Sequence, residues 1–140
     1  MTYGDYKHII PIQIRFSDID RLDHVNNACY HNYVELGRVS YFEKVLKDQV
    51  KWDKQGFVLA RTEIDHLISL FLEDEVFCGT KVAKIGNKSI TVKNSIFKKV
   101  NQEFIECAAV TGILVAMDYV NNSSILIPDE WRKLMEDFEK

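Results

Sequence analysis

The sequence offers no apolar run long enough for a membrane-spanning helix, no pattern of a secretory leader and no excess of basic residues. No stretch of its 140 residues approaches the roughly 18 consecutive apolar residues of a membrane-spanning helix. The opening Met1-Thr2-Tyr3-Gly4-Asp5-Tyr6 lacks the basic-then-apolar run of a secretory signal. Only three cysteines occur, Cys29, Cys78 and Cys107, an odd number set far apart in apolar surroundings. They read as reduced core thiols, which excludes a disulfide framework and makes the cytoplasm the expected location. Basic residues do not predominate: 18 Lys and Arg stand against 21 Asp and Glu, a formal net charge of −3. General nucleic-acid binding, which needs a basic footprint, is therefore not expected. One anionic small ligand met by a local basic patch remains compatible.

Prolines are just two, Pro11 and Pro128, and there is no linker, repeat or low-complexity segment, so residues 1–140 are expected to form a single domain. A chain of this length buries roughly 68–70% of its unfolded surface and needs no disulfide or metal to hold a core. The glycines form no Gly-x-Ser-x-Gly elbow, no Gly-x-Gly-x-x-Gly turn and no phosphate loop. His24, Cys29 and His31 match no zinc-ligand spacing, so neither a metal nor a cofactor is expected.

What is present is organised by period. From Lys7 to Ser17 apolar residues alternate, predicting a half-buried strand that Pro11 confines to an edge. The polar segment Asp18–Asn27 follows, and then the period changes. Tyr30, Tyr33, Val34, Gly37 and Tyr41 share one helical stripe, widened by Cys29, Leu36, Val39, Phe42, Val45 and Leu46. A helix of about twenty residues with that much apolar surface should be buried on most sides. Asn26 or Asn27 is its N-cap, and Gly37 in its middle implies a very close neighbour. Alternation resumes over Phe57–Leu72, with the even set, His66 included, facing the core. Strands Val76–Ile85 and Ser89–Lys99 follow, joined by a two-residue Gly86-Asn87 hairpin. Phe104–Met117 is apolar at nearly every position and should be covered on both faces. Pro128 opens a short last helix to about Phe138. A five-stranded antiparallel sheet wrapped around one long central helix, plus this short C-terminal helix, satisfies every burial demand. That α+β arrangement is the hotdog fold.

The chemistry concentrates in Arg15–Tyr30, where three carboxylates and a histidine precede the long helix. Amides at a helix start are unpaired and carry roughly half a positive charge, so they would stabilise a developing oxyanion. A neighbouring carboxylate would attack a carbonyl, or deprotonate a water that does. A thiolate leaves with little protonation, so such a pair suffices for a thioester and is thin for an amide. The same residues also serve as ordinary caps and turn formers.

The pattern Arg15-Phe16-x-Asp18-x-Asp20-x-x-x-His24-Val25-Asn26-Asn27-x-x-Tyr30-x-x-Tyr33-x-Glu35-x-x-Arg38 resembles the opening of the 4-hydroxybenzoyl-CoA thioesterase-like hotdog family. Ala60–Asp65, and the later acidic pair Asp74-Glu75 before Val76, resemble its second strand and that strand's end, and the resemblance runs from about His8 to Asp118. It implies hydrolysis of an acyl-CoA, with Asp20 as nucleophile or general base and the main-chain amide of Asn27 polarising the thioester carbonyl. Asp18 is then a structural carboxylate bonding loop amides. His24 would orient Asp20 or touch substrate, and Tyr30 and Tyr33 would serve the core or the acyl pocket. Glu35 and Arg38 are expected to form an ion pair on the helix. Family members place basic residues at the hairpin after the third strand to meet CoA phosphates; here only Lys88 stands there, with Lys84 nearby and Lys98-Lys99 further on. The thiol carrier is therefore open between coenzyme A and acyl carrier protein. Hydratase or dehydratase chemistry resting on His24, and non-catalytic acyl-CoA binding, are the alternatives. The expected partners are an acyl-CoA substrate and further copies of the chain, as a homodimer or homotetramer.

Overall fold

The computed structural model describes residues 1–140. In chain order its elements are β1 (His8–Ile12), α1 (Cys29–Val45), β2 (Gln55–His66), β3 (Val76–Ile85), β4 (Ser89–Val100), β5 (Glu103–Asp118), β6 (Ser123–Ser124) and α2 (Asp129–Glu139). The sheet order is β1-β3-β4-β5-β2, antiparallel at every pair, so α1 connects the two edge strands by crossing the sheet's inner face. The two-residue β6, which the sequence did not foreshadow, adds to the end of β5. Single-residue irregularities between Leu59 and Arg61, Val82 and Lys84, and Ile96 and Phe97 increase the local twist. They help the sheet curl around the helix. A curled antiparallel sheet holding one long helix is the hotdog fold.

Two apolar clusters lie between α1 and the sheet. The first half of the helix packs Tyr30, Tyr33 and Val34 against Cys78, Ile96 and Ala108; the second half packs Tyr41, Phe42 and Val45 against Val92, Leu114 and Trp131 of α2. Each such side chain contributes roughly 1.5–3 kcal/mol when fully buried. Gly37 stands between the clusters. A Cβ there would lie 2.7 Å from both Cys78 Sγ and Thr80 Oγ1, so the close neighbour expected of this glycine is β3.

Several boundaries differ from the sequence reading. β1 stops at Ile12 instead of Ser17, because Phe16–Asp18 turn into a short 3-10 helix, and the amide of Arg15 just before it donates to the Asp18 carboxylate at 3.0 Å. β2 stops at His66 instead of Leu72, because the amides of Leu67 and Ile68 both converge on the carbonyl of Cys107. The helix is shorter than expected, at 17 residues, and only one face is covered: Leu36 and Val39 are 55% and 48% exposed. The outer face of β5 is half-buried, since no second layer covers it. The connection from β3 to β4 spans Gly86–Lys88, three residues instead of two. Arg38 is buried with no carboxylate in ion-pair range, so the expected pair with Glu35 does not form.

Candidate active site

The segment between β1 and α1 folds around Asp18, which is 1% exposed. Its carboxylate accepts hydrogen bonds from the Arg15 amide (3.0 Å), the Arg15 guanidinium (2.9 and 3.1 Å) and the Tyr33 hydroxyl (2.6 Å). Burial pushes the Asp18 carboxyl up, but the hydrogen bonds from Tyr33 and Arg15 and the guanidinium charge outweigh it and hold the group at about 2. Burial, with the hydrogen bond to Asp18, raises the Tyr33 hydroxyl. The Asp18 carbonyl in turn accepts the Asn26 amide at 2.8 Å, which ties the loop to the approach of the helix.

Asp20, two residues on, is treated differently. One carboxylate oxygen, Oδ1, accepts the amides of Leu22 (2.9 Å) and His24 (3.2 Å), a local turn closed by Asp23 in the left-handed region at φ 65°. Its other oxygen has no protein partner, and the residue is half-buried. The amide of Asp20 donates to the His24 carbonyl at 2.8 Å, and a bridge between Ile19 and Val25 closes the loop below it.

At the start of α1 the amides are unequally occupied. Ala28 donates to the Asn26 side-chain oxygen at 2.9 Å, Cys29 to the Asn26 carbonyl at 2.9 Å and Tyr30 to the Asn27 carbonyl at 3.3 Å. The amide of Asn27 makes no hydrogen bond. The N-cap position is Ala28, without a side-chain cap, and the Asn26 side chain closes a turn onto its amide; Asn27 supplies a free donor in the positive field of the helix start.

Asn27 lines a cleft of about 100 Å³ together with His24, Tyr30, His66 and Ser69. Asp20 does not itself line this cleft; it adjoins it through the paired main chains of Asp20 and His24. The His24 ring packs edge-on to Phe71 at 5.6 Å and makes no hydrogen bond to Asp20. Tyr30 is 2% exposed, its hydroxyl pushed up to about 12 by burial, and its ring meets His66 edge-on at 4.7 Å. His66 is the residue that sequence reasoning misplaced: it is exposed at the end of β2 and walls the cleft instead of entering the core. Alternation put it on the inward face, but the strand ends there and the sheet no longer covers it. Lys98 fastens the adjoining loop, reaching the Ser69 carbonyl at 3.3 Å and the Asp74 carboxylate at 3.7 Å.

Two expected site residues stand apart. Tyr33 is 3% exposed with its hydroxyl committed to Asp18, so it supports the loop and does not line the cleft. Lys88 precedes β4 at the opposite end of that strand from Lys98, at most roughly 33 Å along it at ~3.3 Å per residue, and does not line the cleft. No three His, Cys, Asp or Glu side chains converge in a manner suited to a metal ion.

Comparison with known proteins bears on this geometry. The model of the thioesterase-like superfamily matches residues 14–135. A thioesterase from Thermus thermophilus, crystallised with coenzyme A and Zn, is 30% identical with a TM-score of 0.83, covering 96% of both chains. A predicted thioesterase from Bacillus stearothermophilus shares the fold with a TM-score of 0.82 at 24% identity, covering 94% of this chain and 95% of that one. Among curated sequences, the uncharacterized protein YsmA of Bacillus subtilis (strain 168) is 30% identical over 82 residues, 58% of this chain. The match spans about half, 54%, of that relative's length.

Proposed function

This chain belongs to the thioesterase-like superfamily, and from that membership we propose that it hydrolyses an acyl-coenzyme A thioester to the free acid and coenzyme A. The observation that carries the reading is the free amide of Asn27, which lines a cleft at the helix start, in a loop whose Asp20 carboxylate keeps one oxygen unbonded. The thioester carbonyl oxygen accepts the Asn27 N–H, which stabilises the negative charge that develops there. By the general-base route, Asp20 takes a proton from a water whose oxygen bonds to the carbonyl carbon. By the nucleophilic route, the Asp20 carboxylate bonds to that carbon and forms an anhydride, which water then opens. In both, the C–S bond breaks and the thiolate leaves with the electron pair, needing little protonation near neutral pH. His24 and Tyr30 wall the substrate, and Tyr33 acts through Asp18.

The Thermus relative holds coenzyme A in its crystal, which favours coenzyme A over acyl carrier protein as the thiol carrier. The motif from Arg15 to Arg38 favours the 4-hydroxybenzoyl-CoA thioesterase-like branch. The outer edge of β2 is unpaired, with Val58 and Leu59 exposed beside it, which favours self-association as a homodimer or homotetramer. We infer that the activity is cytoplasmic.

A panel of acyl-CoAs assayed for free thiol should show turnover, and Asp20→Asn should lower kcat by about 10²–10⁴. Absence of turnover on every acyl group refutes the activity. Turnover that Asp20→Asn leaves unchanged refutes the mechanism alone. A single turnover in ¹⁸O-water places label in the Asp20 carboxylate only if that group is the nucleophile.

A further inference from the structure

The cleft at Asn27 has two walls, one from the segment leading into α1 and one from residues 66–69. Most of the second wall has no sheet ladder to hold it, because β2 ends at His66 and β3 begins only at Val76. The amides of Leu67 and Ile68 tie its start to the Cys107 carbonyl. Beyond them Lys98 of β4 reaches the loop at three points: the Ser69 carbonyl at 3.3 Å, the Asp74 carboxylate at 3.7 Å and the face of the Phe71 ring at 5.7 Å. Asp74 in turn accepts the Phe71 amide at 2.8 Å, so one cation fixes both ends of the turn from Ser69 to Asp74. The side chains of Lys98 and Asp74 are 14% and 22% exposed, so salt and water screen these contacts less than those of a surface pair.

The loop that Lys98 holds also holds the reacting side of the cleft. Leu70 is fully buried and its carbonyl accepts the Val25 amide at 2.8 Å, while the Phe71 ring meets the His24 ring edge-on at 5.6 Å. His24 is in direct contact with Asp20: its carbonyl accepts the Asp20 amide at 2.8 Å and its own amide donates to Asp20 Oδ1 at 3.2 Å. A continuous line of contacts therefore runs from the Lys98 ammonium through Leu70 and Phe71 to His24 and Val25, and on to the Asp20 carboxylate. Resting on the reading of this cleft as the hydrolytic site, we propose that Lys98 is a positioning residue of the reaction, which clamps the β2–β3 loop and so sets the aim of Asp20 and the spacing of the two walls. Lys98 itself touches no substrate. Its ammonium is the operative part, because the aliphatic stem has no donor for the Ser69 carbonyl and no charge for Asp74. A clamp of this kind matters because displacing a reacting group by about 1 Å costs on the order of 10²-fold in rate.

Lys98→Met keeps the stem and removes the charge, whereas Lys98→Arg keeps both the charge and the donors. With the acyl-CoA that turns over best, Lys98→Met should lower kcat per folded molecule roughly ten- to a hundredfold, and Lys98→Arg should recover most of the loss. Nuclear magnetic resonance on the full chain gives a second readout that needs no turnover. In Lys98→Met the His24 ring protons should shift as the Phe71 ring moves, and the Val25 amide should exchange roughly tenfold faster or more, while the Val92 and Val110 amides of the central strands exchange as in the parent. Asp74→Asn loosens the same clamp from the loop side. It should move both signals in the same direction, and it keeps the proposal open to refutation if Lys98→Met does not fold; where both fold, the double variant should add little to Lys98→Met. Absence of turnover in the parent on every acyl-CoA overturns the hydrolytic reading, and the clamp is then judged on the resonance signals alone. Unchanged His24 and Val25 signals refute the clamp whether or not the chain is active. It falls equally if kcat per folded molecule is unchanged in Lys98→Met, or if Lys98→Arg restores the melting temperature but not kcat.

Discussion

Replacing Asp18 by Asn should destabilise the fold by about 2 kcal/mol near neutral pH and by almost nothing below about pH 2. The carboxyl is held at about 2 in the folded chain, against an ordinary value of 3.8. A carboxylate depressed on folding contributes stability that is fully present above its unfolded value and is lost as pH falls through its folded one. The window here therefore runs from 3.8 down to about 2, and at 1.36 kcal/mol per pH unit it is worth ~2.4 kcal/mol. Conversion to free energy is warranted because Asp18 is 1% exposed and little screened, even though Arg15 is largely in water. Asparagine preserves the shape and one acceptor oxygen but removes the charge that Tyr33 and Arg15 meet. Urea unfolding of both proteins across the acid range gives the difference directly, and other titrating carboxylates cancel in it. At roughly 3 °C per kcal/mol for a chain of this size, the neutral-pH melting temperature should fall by about 7 °C. A difference between the two proteins that stays flat from neutral pH to about pH 2 would refute an ionised, hydrogen-bonded Asp18.

The other perturbations follow from contacts of the same kind. Gly37→Ala should lose stability, because overpacking against Cys78 and Thr80 costs about 1–3 kcal/mol and exceeds the ~0.8–1 kcal/mol that alanine gains in a helix; a net gain in urea midpoint refutes the close approach. Asn26→Ala removes the side-chain acceptor of the Ala28 amide and should cost about 1 kcal/mol, with a fall in kcat/KM in the thiol-release assay as the neighbouring Asn27 amide loses its fixed position; unchanged kinetics would separate the turn from the cleft. Glu139→Ala leaves the Tyr41 hydroxyl and the Val82 amide without the acceptor they meet at 2.9 and 2.6 Å, and should cost roughly 1–3 kcal/mol in thermal unfolding.

Much of the sheet was legible because alternation is a local signal. β3 spans Val76–Ile85 as its pattern predicts, and β4 and β5 match within a residue or two at each end. Alternation misleads where apolar residues continue past the last ladder bond. Phe16 keeps the β1 pattern yet is 84% exposed, and Leu70 keeps the β2 pattern yet is fully buried under a loop, its carbonyl taking the Val25 amide. Whether an apolar residue belongs to a strand is decided by which carbonyl its neighbours' amides reach, and that is not written in the period. Arg38 was illegible for the opposite reason. A charged residue on a helix reads as solvated, and only the tight seat of Gly37 on β3 and the walls of Phe42 and Phe57 bury it. The place of Lys88 relative to the cleft was not legible either: a hairpin residue close in sequence to the strands of the cleft lies at their far ends once the ladder is antiparallel.

The loop before α1 shows why a motif and a chemical capacity are separate properties. Asp18 and Asp20 are two residues apart, and both belong to the recognisable pattern. Asp18 is enclosed by Tyr33 and Arg15, with both oxygens bonded, so it is locked ionised and has no lone pair to offer a substrate. Asp20 is held through one oxygen only, which fixes its direction and leaves the other free. The asparagines divide in the same way: Asn26 offers its carbonyl and side-chain oxygen to the next amides, and that arrangement is what leaves the Asn27 amide unclaimed. In each pair the first residue carries more of the hydrogen-bond network and the second keeps one group free of it. The proposed chemistry needs that free group, because a group already satisfied by the fold gains nothing from a transition state. On this argument a variant that gave Asp20 Oδ2 or the Asn27 amide a protein partner would lose activity without losing stability, the reverse of the loss expected at Asp18.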